Sequence, residues 1–412
     1  MTSVQSGQAW TAQQTSYRIA VQRRVLSVLT ATQVVGGIGV GAGAAASTLV
    51  AERLSGSDVV GGLAQTSAVL GAALLAVPIA KFAVTWGRRT ALVFAYGCGM
   101  LGALIAVIAV AAGSWPLLLA GLILFGGASA ANYAARYSAT DLSRPGHAAR
   151  DLSIVVWATT GGAVAGPLLA GRADSVGGHL GIYAMAAGAF ALATIGIFTG
   201  LRPDPLQVAR AGAERDSPSR SLRSGWQVLV RSPSARVAVA AIVVSHTCMI
   251  SLMSMTPVHL DHGGAALGTV GIVISLHIAG MFGLSPLVGW LADQFGQIPV
   301  LLLGMVLLVL AAMTAGTAGS HSLVQLSIGL FLLGLGWSCG LIAGSALLTE
   351  SVPVALRPSV QGLSDLMMNA CGAVGGLIAG VVVALVSYAA LAGLLIVIVM
   401  PMAAVLLFAR RV

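Results

Sequence analysis

Twelve apolar runs, each long enough to cross a lipid bilayer as a helix, divide almost the whole of this 412-residue sequence. A spanning helix needs about 20 mainly apolar residues, and lipid admits only helices or closed barrels. Numbered as spans 1 to 12, the runs cover residues 25–47, 59–80, 90–112, 115–138, 152–171, 181–200, 237–258, 267–289, 298–319, 323–347, 360–386 and 389–409. The pattern predicts an all-α membrane protein with twelve transmembrane helices.

One long polar segment, residues 201–236, separates the first six spans from the last six. It contains seven arginines and three acidic residues, and serine, proline and glycine fill much of the rest. Such a composition buries too little apolar surface to form a core, so it predicts a solvated linker with an amphipathic turn around Trp226. The predicted parts are a cytoplasmic tail (1–24), a six-helix bundle (25–200), the linker (201–236) and a second six-helix bundle (237–412).

The basic residues are distributed almost entirely to one side of this twelve-span arrangement. Of the 21 Lys and Arg residues, all but Arg53 and Arg172 lie in segments that share the side of the N-terminus. Because basic loops stay in the cytoplasm during insertion, both termini are predicted to be cytoplasmic, in the cell (inner) membrane. The formal net charge of +9 is therefore interpreted as a topology signal, and no nucleic-acid partner is expected.

The two groups of six spans resemble each other. A displacement of 209 residues aligns Trp86–Arg89, after span 2, with Phe295–Ile298, after span 8. With one residue of slip, Gly162–Gly166 in span 5 aligns with Gly372–Gly376 in span 11. Each group has six spans in the same direction, so the repeat is parallel and its axis runs along the membrane normal.

The most specific local pattern is Gly289-Trp-Leu-Ala-Asp293-Gln-Phe-Gly296, in the short connection between spans 8 and 9. Glycine permits a tight turn with close helix approach, and Asp293 can accept hydrogen bonds from exposed backbone donors or pair with an arginine. Together with the repeat, this pattern resembles the major facilitator superfamily of transporters, in which such a motif follows span 2 and often recurs after span 8. In that family the motif latches one gating state, which implies a gating loop at Gly289, Asp293 and Gly296.

The first-half copy of this motif is degenerate. Ala80 replaces the leading glycine and Val84 replaces the aspartate, whereas Gly87, Arg88 and Arg89 remain. The resemblance implies a gating role for these three residues. The alternative is that Arg88 and Arg89 are only positively charged anchors at the membrane surface.

Span 5 ends on a second motif, Gly162-Ala-Val-Ala-Gly166-Pro167-Leu-Leu-Ala170-Gly171. Its glycines give a smooth face for close helix packing, and Pro167 removes a backbone donor and kinks the helix. The run resembles the antiporter motif of the same family, which is associated with drug:proton antiport, with Ala170 in place of one glycine. The resemblance implies that the glycine-rich faces of spans 5 and 11 help form a moving interface between the halves. The alternative is ordinary helix packing.

Polar side chains within the spans are costly in lipid and tend to face a cavity. Ser129, Asn132 and Arg136 recur at i, i+3 and i+7, which places them on one face of span 4; alternatively, Arg136 only marks the end of that span. The residues predicted to line a substrate cavity are Gln33, Asn132, Tyr133, Arg136, His246, His277, Trp337 and Asn369.

Three titratable residues within the spans are candidates for proton coupling. Asp365 is the one carboxylate clearly inside a span, where it is neutral, paired or a proton carrier. His246 and His277 lie near mid-span, and histidine titrates near neutral pH. The alternatives are a structural role for Asp365 at the start of its helix and hydrogen-bonded packing for the histidines.

These features predict a secondary transporter that exports small apolar neutral or anionic compounds in exchange for protons, with the two halves rocking about a central site. No carboxylate is apparent deep in spans 1 or 4, which disfavours cationic substrates. The alternative is an uptake symporter or facilitator for a metabolite, because one fold serves both directions.

Other classes of function find little support in the sequence. There is no HExxH pattern and no glycine-rich nucleotide loop followed by lysine. We therefore predict that the protein is not an enzyme or an ATP-driven pump and that it needs no cofactor or metal. The expected partners are a small-molecule substrate, protons and the lipid bilayer, with the protein acting as a monomer.

Overall fold

The computed structural model describes residues 12–211, 222–261 and 267–409, and its regular structure in these ranges is helical. The helices are α1 (Ala12–Ser55), α2 (Asp58–Trp86), α3 (Arg88–Ala111), α4 (Trp115–Ser138), α5 (Ala148–Gly200), α6 (Pro205–Ala211), α7 (Leu222–Arg231), α8 (Pro233–Asp261), α9 (Leu267–Ile278), α10 (Ser285–Phe295), α11 (Gln297–Gly316), α12 (Leu323–Glu350), α13 (Arg357–Leu385) and α14 (Tyr388–Ala409). Among the residues assigned to the linker and the C-terminus, Arg215, Arg220, Arg410 and Arg411 lie outside the described ranges.

Eleven helical segments in the described ranges are long and apolar enough to cross a membrane. One of them contains α5, which Gly178 divides with a backbone conformation (φ 58°, ψ −158°) that is not helical. Glycine adopts positive φ without steric cost. The parts of α5 on either side of Gly178 are spans 5 and 6, so the all-α prediction with twelve spans is confirmed.

Span 8 is not the continuous helix that the sequence predicts at 267–289. It consists of α9, a π-helical turn at Ala279–Gly283, and α10. Gly280 lies directly against the carbonyl of Phe331 in α12, and Pro286 in the first turn of α10 has no backbone donor. Close helix contact and a missing hydrogen bond together explain the break.

The helices extend beyond the apolar runs that predict them. Residues 12–24, predicted as part of a tail, form the beginning of α1. The linker also contains ordered structure, because α6 and α7 bury Leu206 and Leu229 against the bundle. Helix α7 contains Trp226, where the sequence predicts an amphipathic turn, whereas the helical segment α6 is not part of that prediction.

The linker end of the molecule, at which α1 begins and α6 and α7 lie, is called the linker side below. Buried apolar residues form two main clusters, one within 21–209 and one within 241–406. The second cluster also includes four residues from the beginning of α5: Ala148, Ala149, Leu152 and Val156. The two halves are therefore packed together on the linker side.

Candidate functional site

Two layers of buried polar contacts join the halves on the linker side. Each layer takes one residue from α4 or the turn after it, one from α12 and one from α13. The inner layer contains Arg136, Ser345 and Asp365, and the outer layer contains Thr140, Thr349 and Gln361. Within each element the two residues are four apart, so they lie one helical turn from each other on the same face.

An ion pair between the halves forms the centre of the inner layer. Nη2 of Arg136 lies 2.6 Å from Oδ1 of Asp365, and Nε donates to the Ser345 hydroxyl at 3.0 Å. The guanidinium also donates to the Tyr137 hydroxyl and to the Tyr133 carbonyl. Arg136 is 1% exposed and Asp365 is 6% exposed, so the pair is almost fully removed from solvent. Arg136 therefore does more than mark the end of its span.

Arg88, which follows the turn after span 2, joins the three residues of the outer layer. Its Nε and Nη2 contact the two carboxylate oxygens of Asp141 at 2.7 and 3.1 Å. Nη2 also donates to Oε1 of Gln361 in the other half at 2.6 Å. Gln361 in turn donates to the Thr349 hydroxyl at 3.1 Å, and Thr140 donates to the same hydroxyl at 3.4 Å. Arg88 is buried in this network and is not an exposed anchor.

Two glycines give the connections after spans 2 and 8 the same turn. Gly87 (φ 95°) joins α2 to α3, and Gly296 (φ 93°) joins α10 to α11. Both conformations are disfavoured for residues with a side chain. The repeat predicted from the sequence therefore includes the backbone geometry of these turns.

A carboxylate from outside the motif binds the first-half loop, in which Val84 replaces the aspartate of the motif. Oδ2 of Asp204, which follows span 6, accepts a hydrogen bond from the amide of Arg89 at 2.8 Å. Oδ1 accepts from the amide of Leu206 at 3.0 Å, at the start of α6. The sequence motifs do not include Asp204. An aspartate before Pro205 is a signal for capping the following helix, but nothing local predicts its contact with α3.

The second-half loop attaches directly to the first half. Oδ1 of Asp293 accepts from the amide of Ala149 at 3.0 Å, and Oδ2 accepts from the amide of Arg150 at 2.9 Å. Two donors at the start of α5 are thereby satisfied by a charged acceptor, which a helix N-terminus favours. Gly289 lies against the side chain of Ser153, where a Cβ would collide. We call this contact the Asp293 latch.

Replacing Asp293 by alanine is expected to open the linker side. Each hydrogen bond to a charged group contributes about 1.5–3 kcal/mol, so loss of the latch should shift the balance between closed and open forms about ten-fold or more. Distances between spin labels placed on the two halves would measure this shift. Gln294→Ala, an exposed neighbour on α10, is the matched control. Identical distance distributions for Asp293→Ala and the control would contradict the prediction.

A cavity of about 180 Å³ lies between the halves, on the other side of the inner layer from the linker. Its polar or aromatic lining residues are Gln33, Ser129, Asn132, Tyr133, Arg136, Thr159, Phe282 and Trp337. Hydrogen bonds hold this wall in place, because Tyr96 donates to Oδ1 of Asn132 at 2.8 Å and Gln33 donates to the Thr159 hydroxyl at 3.3 Å. Ser129, Asn132 and Arg136 face the same cavity, as their spacing predicts.

Behind the cavity wall, His246 supports Trp337. The indole N–H of Trp337 donates to Nδ1 of His246 at 3.1 Å, so Nδ1 carries no proton in this arrangement. The ring of Tyr133 meets the imidazole edge-on with centroids 6.2 Å apart. His246 thus positions one aromatic wall of the cavity and lies beside another.

Two further predicted cavity residues lie elsewhere. His277 is fully buried between α9 and α12, where its Nδ1 lies 2.8 Å from the Leu330 carbonyl. Asn369 lies one turn after Asp365 and donates to its backbone carbonyl at 2.8 Å. The structure brings Gln33, Asn132, Tyr133, Arg136 and Trp337 together around the cavity, but not these two residues.

The glycine-rich faces of spans 5 and 11 pack inside their own halves. A Cβ at Gly166 would lie 2.8 Å from the Ile38 carbonyl oxygen of α1. Gly162 packs in the same way on Gly37 of α1, and Gly372 packs on His246 of α8. These glycines contact helices of their own half, whereas α13 meets the other half elsewhere, with Gly362 against Ala80. The moving interface stays a prediction. Close approach of two helix backbones explains these glycines.

Replacing Gly166 by alanine is expected to destabilise the first half, whereas Gly171→Ala should not. Overpacking at the crossing of α1 and α5 should cost about 1–3 kcal/mol. No atom lies within 4 Å of a Cβ built at Gly171, which belongs to the same motif. Thermal unfolding of the two purified variants would compare them. Equal midpoints would show that the span 5 motif does not set the distance between these helices.

Comparison with known proteins agrees with this architecture. The sequence model described as Major Facilitator Superfamily matches residues 28–268 and 261–412. The chain is 35% identical over 380 residues to YdeG, an uncharacterised MFS-type transporter of Bacillus subtilis, and the match covers 90% of this chain and 88% of that protein. It is 29% identical to the riboflavin transporter RfnT of Brucella anthropi, over 87% of this chain and 88% of RfnT. The crystal structure of the human organic anion transporter MFSD10 (TETRAN) superposes with a TM-score of 0.77 at 16% identity, covering 93% and 99% of the two chains. The twelve-span chain, with its inter-half layers and central cavity, belongs to the major facilitator superfamily of membrane transporters.

Proposed function

We propose that this protein is a proton-coupled secondary transporter of small aromatic compounds that are neutral or anionic. The observation that carries the proposal is the buried ion pair between Arg136 and Asp365. It joins the two halves that must separate in alternating access, and Arg136 also lines the central cavity. A single side chain therefore contacts both the site for a ligand and the link between the halves.

The state of Asp365 determines what Arg136 can bind. An ionised Asp365 binds the guanidinium of Arg136 and thereby holds the two halves together on the linker side. Protonation removes the negative charge, weakens the attraction between α4 and α13, and leaves the arginine available to a carboxylate or carbonyl of a ligand. A charge left alone at this depth is costly, so release of the pair and arrival of a proton or ligand are energetically linked.

The cavity composition sets the expected class of substrate. Tyr133, Phe282 and Trp337 provide flat apolar contact, and Asn132 and Gln33 provide hydrogen bonds. Arg136 is the one charged lining residue among those described, which favours neutral or anionic over cationic ligands. The similarity to a riboflavin transporter supports the same class, because riboflavin is a neutral aromatic compound.

Two modes of coupling follow from the ion pair, and the geometry favours the first for anions. An anionic group that binds Arg136 displaces Asp365, which then favours its protonated form. Proton and anion binding reinforce each other, which gives symport. Such symport would be an uptake function.

Proton-coupled export is the second candidate, and the span 5 motif favours it. A neutral ligand that needs the ionised carboxylate of Asp365 would compete with the proton, and competition gives antiport. The resemblance of Gly162–Gly171 to the antiporter motif supports this direction. For either mode we propose a monomer with both termini in the cytoplasm, in the inner membrane.

Proton movement in vesicles containing the purified protein would test the proposal. Three aromatic compounds of matched size with an amide, a carboxylate or an ammonium group would be added outside, with a pH-sensitive dye inside. Acidification of the interior on adding the carboxylate indicates symport, and alkalinisation on adding the amide indicates antiport with entry of the compound. A response to the ammonium compound alone, or to none of the three with folded protein, would refute the proposed substrate class or the coupling.

A further inference from the structure

A second large cavity, separate from the central one, lies on the linker side. It measures about 820 Å³ and is a groove between the beginning of α1, the connection from α4 to α5, and the first turns of α5. Its lining includes Arg23, Arg144, Arg150, Asp151 and Ile154. The two linings share no residue, so the central cavity does not account for the groove.

Positive charge dominates the rim of this groove. Arg23, Arg144 and Arg150 are all exposed, and none of the three forms an ion pair with a carboxylate in the described ranges. The acid of the groove, Asp151, is already engaged, because one of its oxygens accepts from Gln22 at 2.7 Å and from Ser143 at 2.6 Å. Three arginines therefore line one groove whose carboxylate, Asp151, is bound by neutral donors. Positive charge exceeds negative charge there, which favours binding of a phosphate.

The floor of the groove is apolar and continues along α5. Ile154 in the groove is followed on the same helical face by Trp157, Val164 and Leu168, which are 48%, 56% and 70% exposed. Gly161 lies on this face as well, beside Val34 of α1, and has no side chain that would project from it. We call this apolar face the stripe of α5. This stripe runs through a membrane-spanning helix, so its neighbours in a bilayer are acyl chains. A ligand that fills both parts has an anionic head and a hydrocarbon tail.

We propose that this groove binds an anionic phospholipid of the linker-side leaflet. The phosphate would lie among Arg23, Arg144 and Arg150, and an acyl chain would follow the stripe of α5. Basic pockets beside transmembrane helices bind such headgroups by the same combination of charge and apolar contact. The site requires the lipid to be anionic, because the three arginines exceed what one zwitterionic headgroup can neutralise.

Native mass spectrometry of the full-length protein with added lipids would test this site. Dioleoyl phosphatidylglycerol should bind more tightly than dioleoyl phosphatidylcholine. One arginine near a membrane phosphate changes affinity by about five-fold, so Arg144→Gln with Arg150→Gln should weaken phosphatidylglycerol binding by about 25-fold. Both side chains are exposed, so the double variant should fold, and its thermal unfolding without added lipid would verify this.

Two further measurements distinguish lipid binding in the groove from general attraction of an anion to a basic protein surface. Arg236→Gln is the matched control, since Arg236 is exposed at the start of α8 and outside the groove; it should leave binding unchanged. Glycerol 1-phosphate, which has the charge without the chains, should bind at least about 100-fold more weakly than the lipid, since each buried methylene adds about 0.8 kcal/mol of transfer free energy. Equal loss in Arg236→Gln, equal binding of both lipids, or equal binding of glycerol 1-phosphate would each overturn the proposal.

Discussion

Replacing Asp365 by asparagine is expected to abolish coupled proton movement while the protein still binds its aromatic ligand. Asparagine keeps the size of the side chain and can still accept a hydrogen bond from Arg136, but it cannot exchange a proton. In the native protein the 2.6 Å contact is a hydrogen bond between two charged groups. In the variant Arg136 donates to a neutral amide, and such a bond is roughly half as strong. The experiment measures ligand uptake and the ligand-dependent pH change in the same vesicles. Uptake without a pH change would show that the variant transports the ligand without moving protons.

The control for this result is a second aspartate that has a close side-chain partner but lies outside the layers. Asp174 lies 2.9 Å from His179 beside the break of α5 at Gly178, away from the linker side. Asp174→Asn should leave proton movement unchanged. Undiminished proton movement in Asp365→Asn would show that the proton travels by another group. His246 would then be the next candidate, because it contacts both Trp337 and Tyr133 beside the cavity.

Replacing Arg136 by glutamine is expected to destabilise the protein strongly, and adding Asp365→Asn should restore most of the loss. Removing one partner of a buried ion pair leaves an uncompensated charge, which costs about 3–5 kcal/mol, whereas removing both charges is often close to neutral. Thermal unfolding of the two single variants and the double variant in one detergent gives the interaction energy as a double-mutant cycle.

An exposed arginine provides the reference for this cycle. Arg53 contacts His179 at the other end of the molecule, and Arg53→Gln should change stability by no more than about 0.5 kcal/mol. Additive losses in the Arg136 and Asp365 variants would contradict the proposed role of the pair as one unit. Stability of Arg136→Gln equal to that of Arg53→Gln would show that Asp365 is not ionised in the folded protein.

The sequence alone determined the spanning architecture. Each apolar run must form a helix in lipid, because no water is present to satisfy the backbone, and the position of the polar linker divides the runs into two groups of six. Helical spacing also placed Ser129, Asn132 and Arg136 on one face, and the cost of a buried carboxylate singled out Asp365. These inferences need only the period of a helix and the chemistry of single side chains.

Only the tertiary structure decided which of these faces meet. Arg136 and Asp365 are 229 residues apart, and no local pattern states that α4 and α13 bring them together. Asp204 likewise accepts a hydrogen bond at the start of α3 from a distant segment. Gly162 and Gly166 of span 5 face α1 and not the other half. His277 has the same polarity as His246, but its Nδ1 lies against the Leu330 carbonyl of α12 and it does not reach the cavity wall. The physical reason is that the 3.6-residue period fixes the angular position of a side chain on its own helix, whereas its partner depends on how twelve helices pack, which the spacing within one span does not contain.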